Sequence, residues 1–215
     1  MAEFRGEAIA RSLQGLFPDV VALDSAAASR AIFVARPDLG RRLSEDSAFR
    51  AAAMGAASDG FDLVIIVSAG LSARAADEQA APLLKELVPR LQQFGFRLAP
   101  LCLVPNGRVG LQDEIGSLLH ARMALTLLGE RPGLGVANSL GAYLIFGPRP
   151  GRTDADRNCV SNIRPAGLGW AMAAERIASL LDTARAKGVS GIAIKEDEAQ
   201  ALPAGTAGKL GQRLE

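Results

Sequence analysis

The sequence of 215 residues predicts an α/β fold with a mostly parallel sheet flanked by helices. Three observations lead there. The run Leu63–Ser68 is continuously apolar and β-branched without alternation, the pattern of a strand buried on both faces. Strand-like and helix-like segments alternate along the chain, and repeated strand–helix–strand units close a parallel sheet through right-handed crossovers. Aromatic residues make up only 5 % of the chain, against many Ala, Leu and Gly, which favours helices packed on a sheet over an all-β sandwich.

Taken in order, residues 5–16 read as a helix that breaks at Pro18, and DVVALD (19–24) as a short strand. Residues 39–57 read as a helix following the RPDLG turn, and 63–68 as the first full strand. A helix over 75–94 contains Pro82 and Pro89, each of which removes a backbone donor and is expected to bend or split it. Phe96–Val104 reads as a strand broken around Pro100. Leu111, Ile115, Leu118 and Leu119 share one face of a short amphipathic helix over 111–121. Met123–Leu128 and Tyr143–Phe146 read as strands, Trp170–Lys187 as a long helix stopped by Gly188, and Ile192–Ile194 as a last strand. The expected division is a short N-terminal helical segment (1–58), the α/β domain (59–196) and a flexible tail (197–215).

Composition narrows the function classes. Twenty-four basic and 23 acidic residues leave a net charge of +1, so no global field draws in nucleic acid or an anionic membrane surface. The longest apolar run falls well short of the roughly 20 residues a bilayer needs, and MAEFRGEAIARSL carries no signal-peptide core. Two cysteines far apart, Cys102 and Cys159, make neither a disulfide framework nor a zinc site. The expectation is a soluble, reduced, cytoplasmic protein.

In a parallel sheet, ligands sit beyond the carboxyl ends of the strands. Four segments follow strands and depart from generic sequence: AGLSARA (69–75), PNGRVG (105–110), GERPGLG (129–135) and GPRPGRTDADRNCVSNIRP (147–165). All four are expected along one rim, as one composite site. GERPGLG lacks the third glycine of a dinucleotide fingerprint, and Val136 stands where a phosphate-binding P-loop needs Lys-Ser or Lys-Thr. It reads as a turn with Glu130 and Arg131 paired in solvent, or with Glu130 accepting hydrogen bonds from an amide-bearing ligand. Cys159 as a nucleophile would need a base, and the single histidine, His120, ends a different helix. Cys159 therefore reads as a packed or ligand-contacting thiol, and Cys102 as core. Arg149, Arg152, Arg157 and Arg164 lie among Asp154 and Asp156 and suit a self-satisfied loop or a protein contact. Arg41 and Arg42, in RPDLGRRLS (36–44), are either part of a turn before a helix or an interface anchor. No complete catalytic set emerges from the residues alone.

The same segments carry a resemblance. RPDLGRRLS (36–44), GLSARA (70–75), GRVGLQDEIG (107–116), GERPGLG with SLGAY (129–143) and GPRPGRTDADRNCVSNIRPAGL (147–168), in this order, resemble the small (light) subunit of ethanolamine ammonia-lyase. The resemblance implies a Rossmann-like domain that covers adenosylcobalamin, the cofactor being sandwiched against a large subunit that holds the substrate. The implied enzyme is a hetero-oligomer converting ethanolamine to acetaldehyde and ammonia by a radical route, and the sequence leaves its packaging in a bacterial microcompartment open. The family's cobalamin contacts fall on Val109, Glu130 and Cys159, with no catalytic side chain and no metal ligand from this chain. Two features depart from the family pattern: Ala69 stands where an Asp is common, and only about 35 residues precede RPDLGRRL, where relatives carry a further helical segment. They motivate a second expectation, a catalytically inactive cobalamin- or partner-binding module. A stand-alone, nucleotide-using transferase built on GERPGLG is a third.

Overall fold

A computed structural model describes residues 3–131 and 136–194. The central sheet has six strands in the order β1-β3-β2-β4-β5-β6, formed by β1 (Val20–Ala22), β2 (Phe61–Ser68), β3 (Leu101–Val104), β4 (Ala121–Glu130), β5 (Ser139–Phe146) and β6 (Arg157–Ile163). β1, β3, β2 and β4 are mutually parallel. β5 runs antiparallel to both β4 and β6. The fold class is α/β as expected, but the sheet is mixed rather than mostly parallel, because β4 and β5 pair directly as antiparallel neighbours with no crossover helix between them.

Among the described residues the sheet is accompanied by α1 (Gly6–Ser12), α2 (Arg30–Ala35), α3 (Glu45–Ala56), α4 (Ala73–Gln93), α5 (Leu111–Leu118) and α6 (Trp170–Lys187). Period-two alternation sorts the strand residues between two layers. Leu63, Ile65 and Val67 of β2, Met123, Leu125 and Leu127 of β4, and Leu140, Ala142 and Leu144 of β5 join the core beneath α4 and α6. Val64, Ile66, Ala124 and Ile145 face the other way, into the core with α3 and α5. α4 anchors its layer through Leu83, Leu84, Leu87 and Leu91, all fully buried, at about 2 kcal/mol each. That burial explains why α4 runs unbroken through Pro82 and Pro89. Tertiary packing outweighs the two lost backbone bonds.

Other boundaries differ from expectation for local reasons. The stretch 39–57 is not one helix: a 3-10 turn at Leu39–Arg41 is followed by α3, whose start is fixed by the Ser44 side chain accepting from the Ser47 amide at 3.3 Å. α2 is a further helix, capped by Ser29. The 96–104 segment is a strand only from Leu101; Phe96 closes the end of α4, its amide on Leu91 O at 3.0 Å. α5 stops at Leu118, and His120 sits beyond it with φ 53°. The segment 157–163, expected within a loop, is β6, and Ile192–Ile194 is helical rather than a strand. Gly188 ends α6 in the left-handed region at φ 70°, as its position after Lys187 predicts. The expected tail at 197–215 lies outside the described residues.

Candidate functional site

The two faces of the sheet are covered unequally. α4 and α6 lie under β4, β5 and β6 on one side, whereas α5 on the other side packs on β2 and β4. The connection from β5 to β6 is a loop with a single 3-10 turn at Asp154–Asp156. Among the described residues no further helix covers the outer face of β5 and β6 around Tyr143 and Cys159, beside α5, and a cavity of about 950 Å³ lies there. This volume is at the top of the usual range for small-molecule sites, roughly 300–1,000 Å³.

Three rim loops frame the cavity at the carboxyl ends of the parallel strands. The amides of Leu71 and Ser72 donate to Gly129 O at 2.8 and 3.2 Å, tying the loop after β2 to the end of β4. A Cβ on Gly129 would stand 2.0 Å from Ser72 O and 2.5 Å from Ala69 O, so only glycine permits this crossing. Ser68 ties the loop after β3: its hydroxyl donates to Gly107 O at 3.0 Å and accepts from the Gly107 amide at 2.9 Å. The Arg108 amide in turn donates to Gly40 O at 2.8 Å, so the RPDLGRR segment braces GRVG.

The three residues assigned by resemblance, Val109, Glu130 and Cys159, all line this cavity. They reach it differently. Val109 lies on the loop before α5, and Glu130 is the last residue of β4, paired with Ser139. Cys159 is a residue of β6 opposite Tyr143 of β5, so it does not sit on a strand-end loop. The expectation of four loops on one rim is corrected here: β5 is antiparallel, so the loop after it leaves from the opposite end of the sheet. Its Gly147 amide donates to Arg122 O, near the start of β4, at 2.9 Å. Pro150 and Arg152 of that loop nevertheless close the far end of the cavity. Pro132–Gly135, the glycine-rich part of GERPGLG, lies outside the described residues.

Sequence reading missed Tyr143. Its phenol donates to the Glu130 carboxylate. Burial, reinforced by that hydrogen bond, holds the phenol above its ordinary pKa. Glu130 lies back across β5 over Gly141, where a Cβ would meet its carboxyl carbon at 2.8 Å and both oxygens at 2.9 Å. The signal was present in SLGAY: glycine and tyrosine two apart in a strand share a face.

Two residues along β6 from Cys159, on the same face, Arg157 grips Asp113 of α5 with two hydrogen bonds of 3.1 and 2.7 Å, both residues being buried. Desolvation raises the Asp113 pKa more than Arg157 lowers it. Arg152 pairs with Asp156 at 3.1 Å and Arg164 donates to Asn162 at 2.8 Å, so this arginine-rich stretch satisfies much of its charge internally. Cys102 is fully buried, which pushes its thiol up to about 12. Among the described residues no group of three or more His, Cys, Asp or Glu side chains is placed to hold a metal ion. No helix among them is long and apolar enough to cross a membrane.

A mixed α/β sheet with a cavity beside α5 at the strand ends defines an α/β protein with one candidate ligand site among the described residues. Residues 1–195 match the family model described as ethanolamine ammonia-lyase light chain (EutC). The small subunit of ethanolamine ammonia-lyase from Azotobacter vinelandii is 48 % identical over 188 residues, covering 87 % of this chain and 68 % of that protein. The proteins of that name from Pseudomonas aeruginosa and Rhodopseudomonas palustris are each 45 % identical, covering 93 and 91 % of this chain and 74 % of either relative. The chain belongs to the ethanolamine ammonia-lyase light-chain family.

Proposed function

We propose that this chain forms one wall of the cofactor site in an adenosylcobalamin-dependent ethanolamine ammonia-lyase, with Val109, Glu130 and Cys159 against the cofactor and a large subunit holding the substrate. The observation that carries this reading is that these residues, from three separate segments, line one cavity beside α5. The lining suits a large ligand fringed with amides. Glu130 offers a carboxylate acceptor, the glycines flanking Val109 bring the backbone close, and Val109 and Leu128 supply apolar surface.

When bound, adenosylcobalamin supplies the radical that starts the conversion of ethanolamine to acetaldehyde and ammonia. The residues of this chain orient and shield. Tyr143 holds the Glu130 carboxylate across Gly141, and the Arg157–Asp113 pair fixes β6 to α5. A tightly tied rim keeps water from a reactive centre, a task that needs shape rather than an acid–base pair. The same reading makes the enzyme a cytoplasmic hetero-oligomer.

The test is acetaldehyde release from ethanolamine with added adenosylcobalamin, comparing this chain, the large subunit and the co-expressed pair. Activity in the pair alone is the expected result. Turnover by this chain alone overturns the assignment, and a co-purifying but inactive pair replaces it with an inactive binding module.

A further inference from the structure

One end of the cavity is charged in a way the cobalamin wall does not by itself require. Arg41, Arg42 and Arg108 line it next to Val109. Among the described residues, none of the three forms an ion pair with a carboxylate, whereas Arg36, Arg152 and Arg157 nearby all do. The acids on the same wall are otherwise engaged: Glu114 accepts from the Leu43 amide at 2.7 Å, and Asp113 is held by Arg157.

Arg108 is also fixed in place. Its guanidinium lies 4.5 Å from the centre of the Phe33 ring, and its Nη2 donates to Phe33 O at 3.0 Å. Its Nε is buried and has no hydrogen-bond partner. Arg30 lies over the same ring at 4.8 Å, and burial together with the Arg108 charge lowers its pKa. Gly40 allows this stack, since a Cβ there would sit 3.0 Å from the Phe33 ring and 3.1 Å from Arg108 Cγ. The Arg41 stem passes 3.5 Å from the Cβ position of Gly110, which carries a second guanidinium onto the same loop. A planar guanidinium fork presents two parallel donors that match the oxygens of a phosphate or carboxylate, and arginines without an ion-paired carboxylate keep those donors available.

We propose that Arg41, Arg42 and Arg108 form a receptor for a phosphate-class anion at this end of the cavity. Its source, resting on the function proposed above, is the phosphodiester in the nucleotide tail of cobalamin. Free phosphate and acidic side chains of a partner chain are the competing sources, and the experiment separates them.

Equilibrium binding of cobalamin and of cobinamide, which lacks the phosphate-bearing tail, is measured on the assembled complex with the wild-type chain, Arg41→Gln/Arg42→Gln and Arg108→Gln. The double variant alters exposed side chains and keeps the test valid should Arg108→Gln misfold. The expected result is loss of cobalamin affinity by about tenfold or more in the variants, with cobinamide nearly unaffected. Equal effects on both ligands, or no effect on either, overturn the proposal while leaving the cobalamin reading intact. Weaker association of the two chains without cofactor also overturns it and assigns the arginines to the partner's carboxylates. If the wild-type complex binds neither corrinoid, the cobalamin reading fails, and inorganic phosphate titrated against this chain decides the anion site. A rise in melting temperature abolished by Arg41→Gln/Arg42→Gln then sustains it, and no rise removes it.

Discussion

Tyr143 and Glu130 lie on one face of adjacent antiparallel strands, and the phenol of the first donates to the carboxylate of the second across Gly141. Tyr143→Phe leaves that carboxylate without its donor at the cavity wall. We expect a stability loss of about 1 kcal/mol and a several-fold weaker hold on cobalamin in the assembled complex, read by thermal melting and equilibrium binding. The phenol's folded-state pKa is raised above its ordinary value of 10.0. Its contribution is complete below that value and is lost as pH rises towards the folded-state pKa. Wild-type stability should therefore fall more steeply than that of Tyr143→Phe in alkaline titrations, and parallel curves would exclude the coupling.

Two glycines separate a ligand effect from a folding effect. Gly141→Ala pushes only the movable end of Glu130, so the melting temperature should change little while cobalamin binding weakens. Gly129→Ala drives a methyl to 2.0 Å from a backbone oxygen. It should cost about 3 kcal/mol or more. Calorimetry of both variants checks the contrast.

Removing one partner of the buried Arg157–Asp113 pair strands a charge. Asp113→Ala is expected to cost about 3–5 kcal/mol, and Asp113→Leu/Arg157→Met to recover most of it. Denaturant unfolding of the single and double variants measures both. A single variant as stable as wild type would remove the pair from the account of how β6 is held.

The two thiols should differ sharply in labelling. Cys102 is fully buried and its thiol is pushed up to about 12, so it should react only on unfolding. Cys159 is exposed on the cavity wall and should react in the native chain. Adenosylcobalamin bound to the assembled complex should slow that reaction, and unaltered labelling of Cys159 under saturation would place the cofactor elsewhere.

Much of the scaffold is legible in the sequence because it is buried on both sides. Leu63–Ser68 and Met123–Leu128 read as strands and lie within β2 and β4, and Trp170–Lys187 is a helix with Gly188 after it, as found. β6 was hidden for a physical reason. Arg157-Asn-Cys-Val-Ser-Asn-Ile163 presents one face to the open cavity, so its polarity imitates a loop. The reversal at β5 was equally invisible, since Tyr143–Phe146 reads the same in either direction. Val109, Glu130 and Cys159 came from resemblance; the register of β4, β5 and β6 explains why Glu130 and Cys159 share a wall, which Val109 joins from the loop before α5. Tyr143 went unremarked because its chemistry depends on a neighbour thirteen residues away in sequence.

The outer face of β5 and β6 beside α5 also makes folding and loading a single problem. Around Tyr143 and Cys159 the described residues form two layers, and the cavity lies where a third would stand. Whatever settles there completes the burial that a helix performs elsewhere in the sheet, so occupancy should raise the melting temperature in proportion to the logarithm of ligand concentration. An empty molecule should loosen first at β6, where Arg157 is the principal tie to the layer above. The stability of the subunit thus becomes a readout of whether its work site is filled.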